Sequence, residues 1–425
     1  MAAAALLLAV LPLSAEYEFM PAWHEGYLDI HSLSTGRGDC TFVVMPDGTT
    51  MLIDAGDVGP GWHVAQPNPS KTPGEWIAKY IHDFSENLPH RDTVDYFYLT
   101  HYHGDHIGVK SQVRGHNHGY GLCGITRVGE DIHFNRIIDR DCPDYNYPSR
   151  EYITKESFFK DYIKFVEYQR DSCGTIVEKF KVGSRKQFSP QYDRKSYRKN
   201  FEVYNIAANG YIHTGKGMKT RFMYDEDPNG FDENMNSGVI LMKYGKFTYY
   251  NGGDIGGGPH PSFKTKHRDA ESQIADLIGG HVTMIKPDHH GWQESSNGYF
   301  LKILSPELIV EMCSNRSHPY YATLARLADP MSYDGPRKFF ITTEGSRGRI
   351  EATEDRLAGR NESGKDPNGY FNDYRYPELW KNFVPYYGHV VVRVYEGGTK
   401  YQVFVLDSKV PDYHILYKTE IEECR

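Results

Sequence analysis

Six residues, His101-Tyr102-His103-Gly104-Asp105-His106, place three imidazoles and a carboxylate directly behind the strand-like run from Tyr96 to Thr100. A strand that stops in a turn aims such side chains at one or two neighbouring points. Imidazole and carboxylate together suit Zn²⁺ and other borderline divalent ions, Mn²⁺ among them, and a cation is what makes this crowding of an acid and three rings favourable. The chain must therefore bring further ligands to this strand end from elsewhere. With 425 residues, 39% of them hydrophobic, it can bury a core large enough to do so.

Charge narrows the range of partners. Lys and Arg number 48 against 56 Asp and Glu, a net charge of −8, which disfavours a protein that coats polyanions over its whole surface. Met1–Ala15 carries no charged side chain and ends in Leu13-Ser14-Ala15, the pattern of a secretory signal peptide without its basic start. Its apolar run is too short for a transmembrane segment. The expectation is an exported protein, periplasmic or extracellular, with a domain over residues 16–425. The six cysteines, Cys40, Cys123, Cys142, Cys173, Cys313 and Cys424, include no Cys-x-x-Cys pair, so a structural zinc knuckle is absent. They allow 15 pairings, none preferred by spacing.

Hydrophobic periodicity gives β-runs at Tyr27–Leu33, Cys40–Met45 and Thr50–Asp54, the last two joined by the Pro46-Asp47-Gly48 turn. Pro73–Ser85 reads as a helix capped by Thr72, and Ser157–Arg170 as a second one. Strands follow at Ser237–Tyr244, Lys246–Tyr250, Leu308–Met312, Lys338–Thr343, His389–Tyr395 and Tyr401–Leu406, with helices at Ala270–Ile278 and Tyr320–Ala328. Strands and helices mixed in both halves, with no repeat of 20 to 50 residues, predict a layered α/β fold. Residues 111–200 and 356–376 read as insertions on it. Lys179–Lys199 holds eight Lys or Arg and one Asp, interleaved with Phe180, Phe188, Tyr192 and Tyr197, a composition able to hold a phosphate-bearing chain by charge and stacking.

Taken with its surroundings, the His101–His106 motif resembles the metallo-β-lactamase fold superfamily. Gly36-Arg37-Gly38-Asp39 and Leu52-Ile53-Asp54-Ala55-Gly56 resemble the opening of its ComEC-like branch, the nuclease-type domains related to DNA-uptake proteins. Four later segments are similar to the same branch: Asn236-Ser237 before a hairpin ending Gly252-Gly253-Asp254, Lys286-Pro287-Asp288-His289-His290-Gly291, Ser314–Pro319, and Ile341–Gly345. The resemblance implies an αββα sandwich with two mixed β-sheets. It implies that His101 and His103 hold one metal, that Asp105 and His106 hold another, and that Asp254 bridges the two. One histidine of His289-His290 completes the second site; His290 is favoured because it directly precedes Gly291, which makes His289 a support or substrate contact. Asp54 and Asn236 are expected beside the ligands, and His318 near the substrate, where it binds a phosphate oxygen or protonates a leaving group. The superfamily's third histidine has no clear counterpart; His213 is the nearest candidate, and an ordinary surface or core histidine is the favoured reading of it. Gly256-Gly257-Gly258 is read as a close backbone approach to the metal.

Two divalent ions about 3.5 to 4 Å apart lower the pKa of a water between them and clamp the attacking and leaving oxygens of a displacement. The implied activity is an exported dinuclear metal-dependent hydrolase, with Asp105, Asp254 and His318 as its catalytic residues. Its expected substrate is a small or polymeric phosphodiester: nucleic acid, nucleotide or a phosphorylated envelope polymer. The alternatives are a lactam, lactone or thioester hydrolase built on the same site, and a non-catalytic binding protein whose sandwich the metals hold together.

Overall fold

The computed structural model describes residues 17–36, 38–57, 65–109, 118–224, 232–258, 269–312, 318–330, 332–343 and 382–425. The apolar start, residues 356–376, residues 314–317 of the Ser314–Pro319 segment and residues 344–345 of the Ile341–Gly345 segment lie outside the described residues.

The first half supplies β1 (Leu28–Ser32), β2 (Thr41–Val44), β3 (Thr50–Ile53), β4 (Thr93–Leu99), β5 (His133–Asp139) and β6 (Ile176–Lys179). The middle supplies β7 (Phe201–Ala208), β8 (Tyr211–His213), β9 (Thr220–Phe222), β10 (Val239–Tyr244), β11 (Phe247–Asn251), β12 (Met284–Ile285), β13 (Leu308–Glu311) and β14 (Lys338–Ile341). The chain closes with β15 (His389–Val394), β16 (Lys400–Leu406), β17 (Ile415–Lys418) and β18 (Glu422–Glu423). One sheet runs β17-β16-β15-β1-β2-β3-β4-β5-β6, with β18 on β16, and the other runs β14-β13-β12-β11-β10-β7-β8-β9. Both are mixed: β3 to β6 and β11 to β14 are parallel, and the remaining pairs are antiparallel. The helices are α1 (Pro73–Phe84), α2 (Gly104–Ile107), α3 (Gly124–Val128), α4 (Arg150–Ile153), α5 (Ser157–Ser172), α6 (Arg194–Tyr197), α7 (Glu271–Ile278), α8 (Gly298–Leu304) and α9 (Tyr321–Ala328).

Strand alternation sorts the buried side chains into three layers of core. Val43, Met51, Ile53, Tyr96 and Tyr98 face Val203, Ile240, Met242, Tyr249 and Val310 between the sheets. Their neighbours Phe42, Val44, Leu52 and Phe97 point the other way, onto Ile77 and Ile81 of α1 and Phe159, Tyr162 and Val166 of α5. On the far side Ile206, Tyr250, Ile285 and Ile309 pack under Ile274 of α7, Phe300 and Leu304 of α8, and Leu324 and Leu327 of α9. The layer order is αββα, as expected. Helix α1 begins as its sequence predicts, with the Thr72 side chain accepting from Glu75 N–H and the Glu75 carboxylate accepting from Thr72 N–H.

One expectation changes. The described part of residues 111–200 is integral to the fold: β5 and β6 extend the parallel part of the first sheet, and α5 buries Phe159, Tyr162, Phe165 and Val166 in its outer core. Its Gly, Tyr and charge content hid short strands whose exposed positions carry polar residues, as in His133 and Asn135. No bridge joins the described cysteines, all of which are free thiols. Among the described residues no helix is long and apolar enough to cross a membrane.

Candidate metal centre

Strand ends from both sheets meet at one edge of the sandwich. From the first sheet, β3 runs out into Asp54, and β4 runs out into Thr100 and His101, followed by α2 with His103 at its N-cap. From the second, β11 runs into Gly252-Gly253-Asp254, and β12 into Lys286 and the 3₁₀ turn Asp288–Gly291. The Gly238 N–H donates to the Thr100 carbonyl at 2.9 Å, tying the sheets at this point. The loop after β4 is held from behind, because the Asp105 carbonyl accepts from Asp39 N–H at 2.8 Å and the His106 carbonyl from Ala55 N–H at 2.9 Å. Backbone crowds so closely there that a Cβ on Gly56 would stand 1.7 Å from the Asp105 carbonyl oxygen. His289 and His290 both occupy the left-handed region, at φ 49° and 50°. That conformation is costly for residues bearing a Cβ and is retained where a site needs the resulting side-chain aim.

Four imidazoles surround one carboxylate oxygen. Asp254 Oδ2 lies 3.2 Å from His106 Nε2, 3.3 Å from His290 Nε2, 3.8 Å from His101 Nε2 and 4.0 Å from His289 Nε2. His290 Nε2 also stands 3.3 Å from Asp105 Oδ2, and His101 Nε2 stands 3.1 Å from His103 Nδ1. The contacts thus fall into two groups that share Asp254: His101 with His103, and Asp105 with His106 and His290.

Hydrogen bonds on the outer side fix which nitrogen of each ring faces inward. His106 Nδ1 donates to Asp54 Oδ2 at 2.8 Å. Asp54 also accepts from the Thr100 amide and hydroxyl, both at 2.8 Å, which leaves the Thr100 oxygen to accept from His101 Nδ1 at 3.2 Å. His290 Nδ1 faces two acceptors, Asp39 Oδ1 at 3.0 Å and the Met312 carbonyl at 3.1 Å, so it carries the proton. The Nε2 atoms of His106 and His290 are buried and make no hydrogen bond. A cation, either a proton on the ring or a metal ion in its place, must stand between each of these nitrogens and the carboxylate oxygens it faces. Ligands about 2.0 to 2.2 Å from a tetrahedral ion are separated by roughly 3.4 Å, close to the observed spacings. The residues therefore fit a divalent metal.

Charge follows the same layout. Burial opposes a proton on His106, yet the carboxylates of Asp254 and Asp54 raise its pKa to about 10. Burial likewise works against charge on His290, and Asp254 with Asp39 raise its pKa well above the ordinary histidine range. Asp254 is buried, which disfavours its anion, but His290, His106 and Lys286 hold its carboxyl well below the usual carboxylate range. Burial keeps His101 and His289 neutral. Lys286 Nζ sits in the same pocket, 2.7 Å from Asp39 Oδ2, 3.5 Å from Asp254 Oδ1, and donating to the Gly253 carbonyl at 2.7 Å. It occupies the oxygen of Asp254 that turns away from the histidines.

The structure brings His101, His103, Asp105, His106, Asp254 and His290 together, with Asp54 behind two of the rings. His289 stays at the rim, mostly buried, where Asn234 Nδ2 lies 3.3 Å from its Nε2. His318 packs against it, with ring centroids 5.8 Å from His289, 5.6 Å from His290 and 5.1 Å from Trp292. Burial, followed by the nearby His290 and His289, lowers the His318 pKa to about 3. Two expectations are corrected, for Asn236 and for the Gly256–Gly258 run, while His213 is the ordinary buried histidine of its favoured reading. Asn236 turns its amide onto the Asp232 carbonyl at 3.1 Å, and it is Asn234 that reaches a site histidine. His213 is bonded to Tyr204 Oη and the Gly217 carbonyl, in neither group of ligands. Gly257 makes room for the Glu271 carboxylate, which a Cβ would approach to 1.9 Å, and not for a metal.

Asp39 and Lys286 are the site residues that sequence reasoning quoted without assigning a role. Asp39, His106, Asp254 and His290 form a buried group whose donor atoms all lie within 4.8 Å of one another. Asp39 meets His290 on its Nδ1 side and is already paired with Lys286, so its position is that of a support for the ring. Asp39 follows Gly36-Arg37-Gly38 and Lys286 stands four residues before His290, but neither segment shows that the two side chains pair.

No protein-family model and no curated protein matches the chain. Among solved structures it is similar to the metallo-β-lactamase fold protein YhfI from Bacillus subtilis, with TM-score 0.36, 10% identity, and 74% of this chain and 96% of that one covered. It is also similar to CmlA, a diiron β-hydroxylase from Streptomyces venezuelae, with TM-score 0.35 and 13% identity over 81% of this chain and 52% of that one. The chain thus spans about half the length of CmlA.

Proposed function

We propose that this protein is a metal-dependent hydrolase of the ComEC-like type, exported by its apolar N-terminal segment, that cleaves phosphodiester bonds with two divalent ions, Zn²⁺ by ligand type. The observation that carries this reading is the ring of imidazole nitrogens around Asp254 Oδ2, with the buried Nε2 atoms of His106 and His290 facing carboxylate oxygens and making no hydrogen bond. His101 and His103 would hold one ion, Asp105, His106 and His290 the other, and Asp254 both. Bound there, the ions supply Lewis acidity and a nucleophilic water at neutral pH.

The chain's own residues do the rest. Asp54 and Asp39 set the tautomers of His106 and His290, so that each ring offers a lone pair inward. Lys286 offsets the carboxylate charge of Asp39 and Asp254. His289, neutral and partly exposed at the rim with His318 packed beside it, would place an N–H donor toward a non-bridging oxygen of a phosphodiester. With a pKa of about 3, His318 is suited to donate a hydrogen bond and poorly suited to deliver a proton at neutral pH.

Elemental analysis of the purified protein, paired with turnover of bis(p-nitrophenyl) phosphate by wild type and Asp105→Ala, tests the proposal. About two metal equivalents and turnover abolished by the substitution are expected. Metal bound without phosphodiester turnover would overturn it in favour of lactone, lactam or thioester chemistry or of a binding protein.

A further inference from the structure

The basic run that follows β6 is not at the metal centre. Phe201, the first residue of β7, pairs with Tyr244, the last of β10, whereas β10 begins beside Gly238 and its bond to Thr100. Five steps along β10 at about 3.3 Å each put roughly 16 Å between the two ends. At the end remote from the metals, the segment folds around a cleft of about 720 Å³ lined by Arg185, Lys186, Arg194, Lys195 and Arg198, with Glu202 as its one acid. Arg185 pairs with Glu202 at 2.6 Å and lies over the Tyr204 ring. Lys186, Arg194, Lys195 and Arg198 are exposed and form no ion pair among the described residues.

The loop is built to hold this shape. Asp47 accepts from the backbone N–H groups of Tyr192 and Asp193 at 2.8 and 2.9 Å, and Tyr192 Oη donates to Asp95 at 2.8 Å. Asp193 is spent on capping α6. Nearby acids are thus turned to the scaffold, and the cations are left to the cleft. The aromatic part of the expectation holds only in part: Phe180 and Phe188 are buried in the core between the sheets, 5% and 0% exposed, and offer no free face for stacking, whereas Tyr192 is exposed and Tyr197 half-buried.

We infer that this cleft binds the repeated phosphates of a polyanionic chain, by charge and without reading bases, at a site separate from the metal centre. Cations spread along an open cleft match a ligand with spaced charges, since each phosphate neutralised releases a counterion. A single small anion would need donors that converge. The inference does not rest on the hydrolase reading, and it is tested with the metals removed.

The test is fluorescence anisotropy of a labelled oligothymidylate with the full chain in chelator, with inorganic polyphosphate and an abasic oligomer as competitors. Both competitors should displace the probe. Arg194→Ala/Lys195→Ala/Arg198→Ala, all exposed positions, should weaken binding at least about tenfold and lower the log–log salt slope by about 2, at ~0.7 per phosphate contact of a single strand. Thermal unfolding and Lys186→Glu serve as controls for a variant that misfolds, the latter expected to weaken binding in the same direction. Unchanged affinity and slope in both variants would overturn the inference. So would absence of binding by wild type, or displacement by oligothymidylate alone, which would mean that bases are read.

Discussion

Asp54 and His106 meet at 2.8 Å, carboxylate to Nδ1–H, and the same carboxylate holds Thr100, whose hydroxyl oxygen in turn takes the Nδ1 proton of His101. One acid behind β3 therefore orients a ring in each of the two ligand groups. Asp54→Asn keeps the volume but loses the charge that favours both tautomers. Metal affinity should fall about 10- to 100-fold, measured by competition with a chromophoric chelator, while the unfolding transition of the chelated protein moves little. Equal affinity in the two proteins would remove Asp54 from this role.

Asp254 is shared and His101 is not. Asp254→Asn should strip the protein of both metal equivalents, whereas His101→Ala should leave about one, by elemental analysis after gel filtration. Identical stoichiometry in the two variants would contradict a shared carboxylate.

Arg140 and Glu233 form a fully buried bidentate pair at 2.8 Å, and Glu233 also accepts from the Tyr102 N–H in the middle of the metal motif. Removing one partner strands the other charge. Glu233→Gln should cost about 3 to 5 kcal/mol in urea unfolding. It should also lower metal affinity, since the loop from His101 to His103 loses its anchor.

His31 and His389 are buried together under α1, and burial, followed for His31 by Arg393 and for His389 by His31, lowers each pKa to about 3. In the unfolded chain each takes a proton near pH 6.5. Between these values the unfolded state binds more protons, so stability falls as pH drops from 6.5 toward 3, by up to ~1.4 kcal/mol per pH unit per histidine. Denaturant unfolding at pH 5 and pH 7 should show a smaller pH dependence for His389→Gln than for wild type. Equal pH dependence would rule this pair out as an acid-sensitive element.

Much of this was legible beforehand because it is written locally. Alternation marked β1 to β4, the Thr72 cap marked α1, and the clustered imidazoles marked the end of β4. Residues whose role depends on a partner far along the chain were not legible. Asp39 acquires its function from Lys286 and His290, some 250 residues later, and nothing near it announces that pairing. Asn234 and Asn236 are alternate residues of one 3₁₀ turn, and a single step of backbone rotation decides which of them reaches His289. The short strands β5 and β6 are set by their neighbours in the parallel sheet, a tertiary preference that local composition does not carry.

The ligands divide between the two sheets, His101, His103, Asp105 and His106 on one and Asp254 and His290 on the other. A cation held by both would act as a rivet through the sandwich, since in the proposed arrangement each ion takes a ligand from the second sheet as well as from the first. Loading and folding then become linked events: at a free metal concentration 100 times the dissociation constant, one such ion adds about 2.7 kcal/mol to the native state. A shortage of the metal would then lower the stability of the native state together with any activity that depends on the metal.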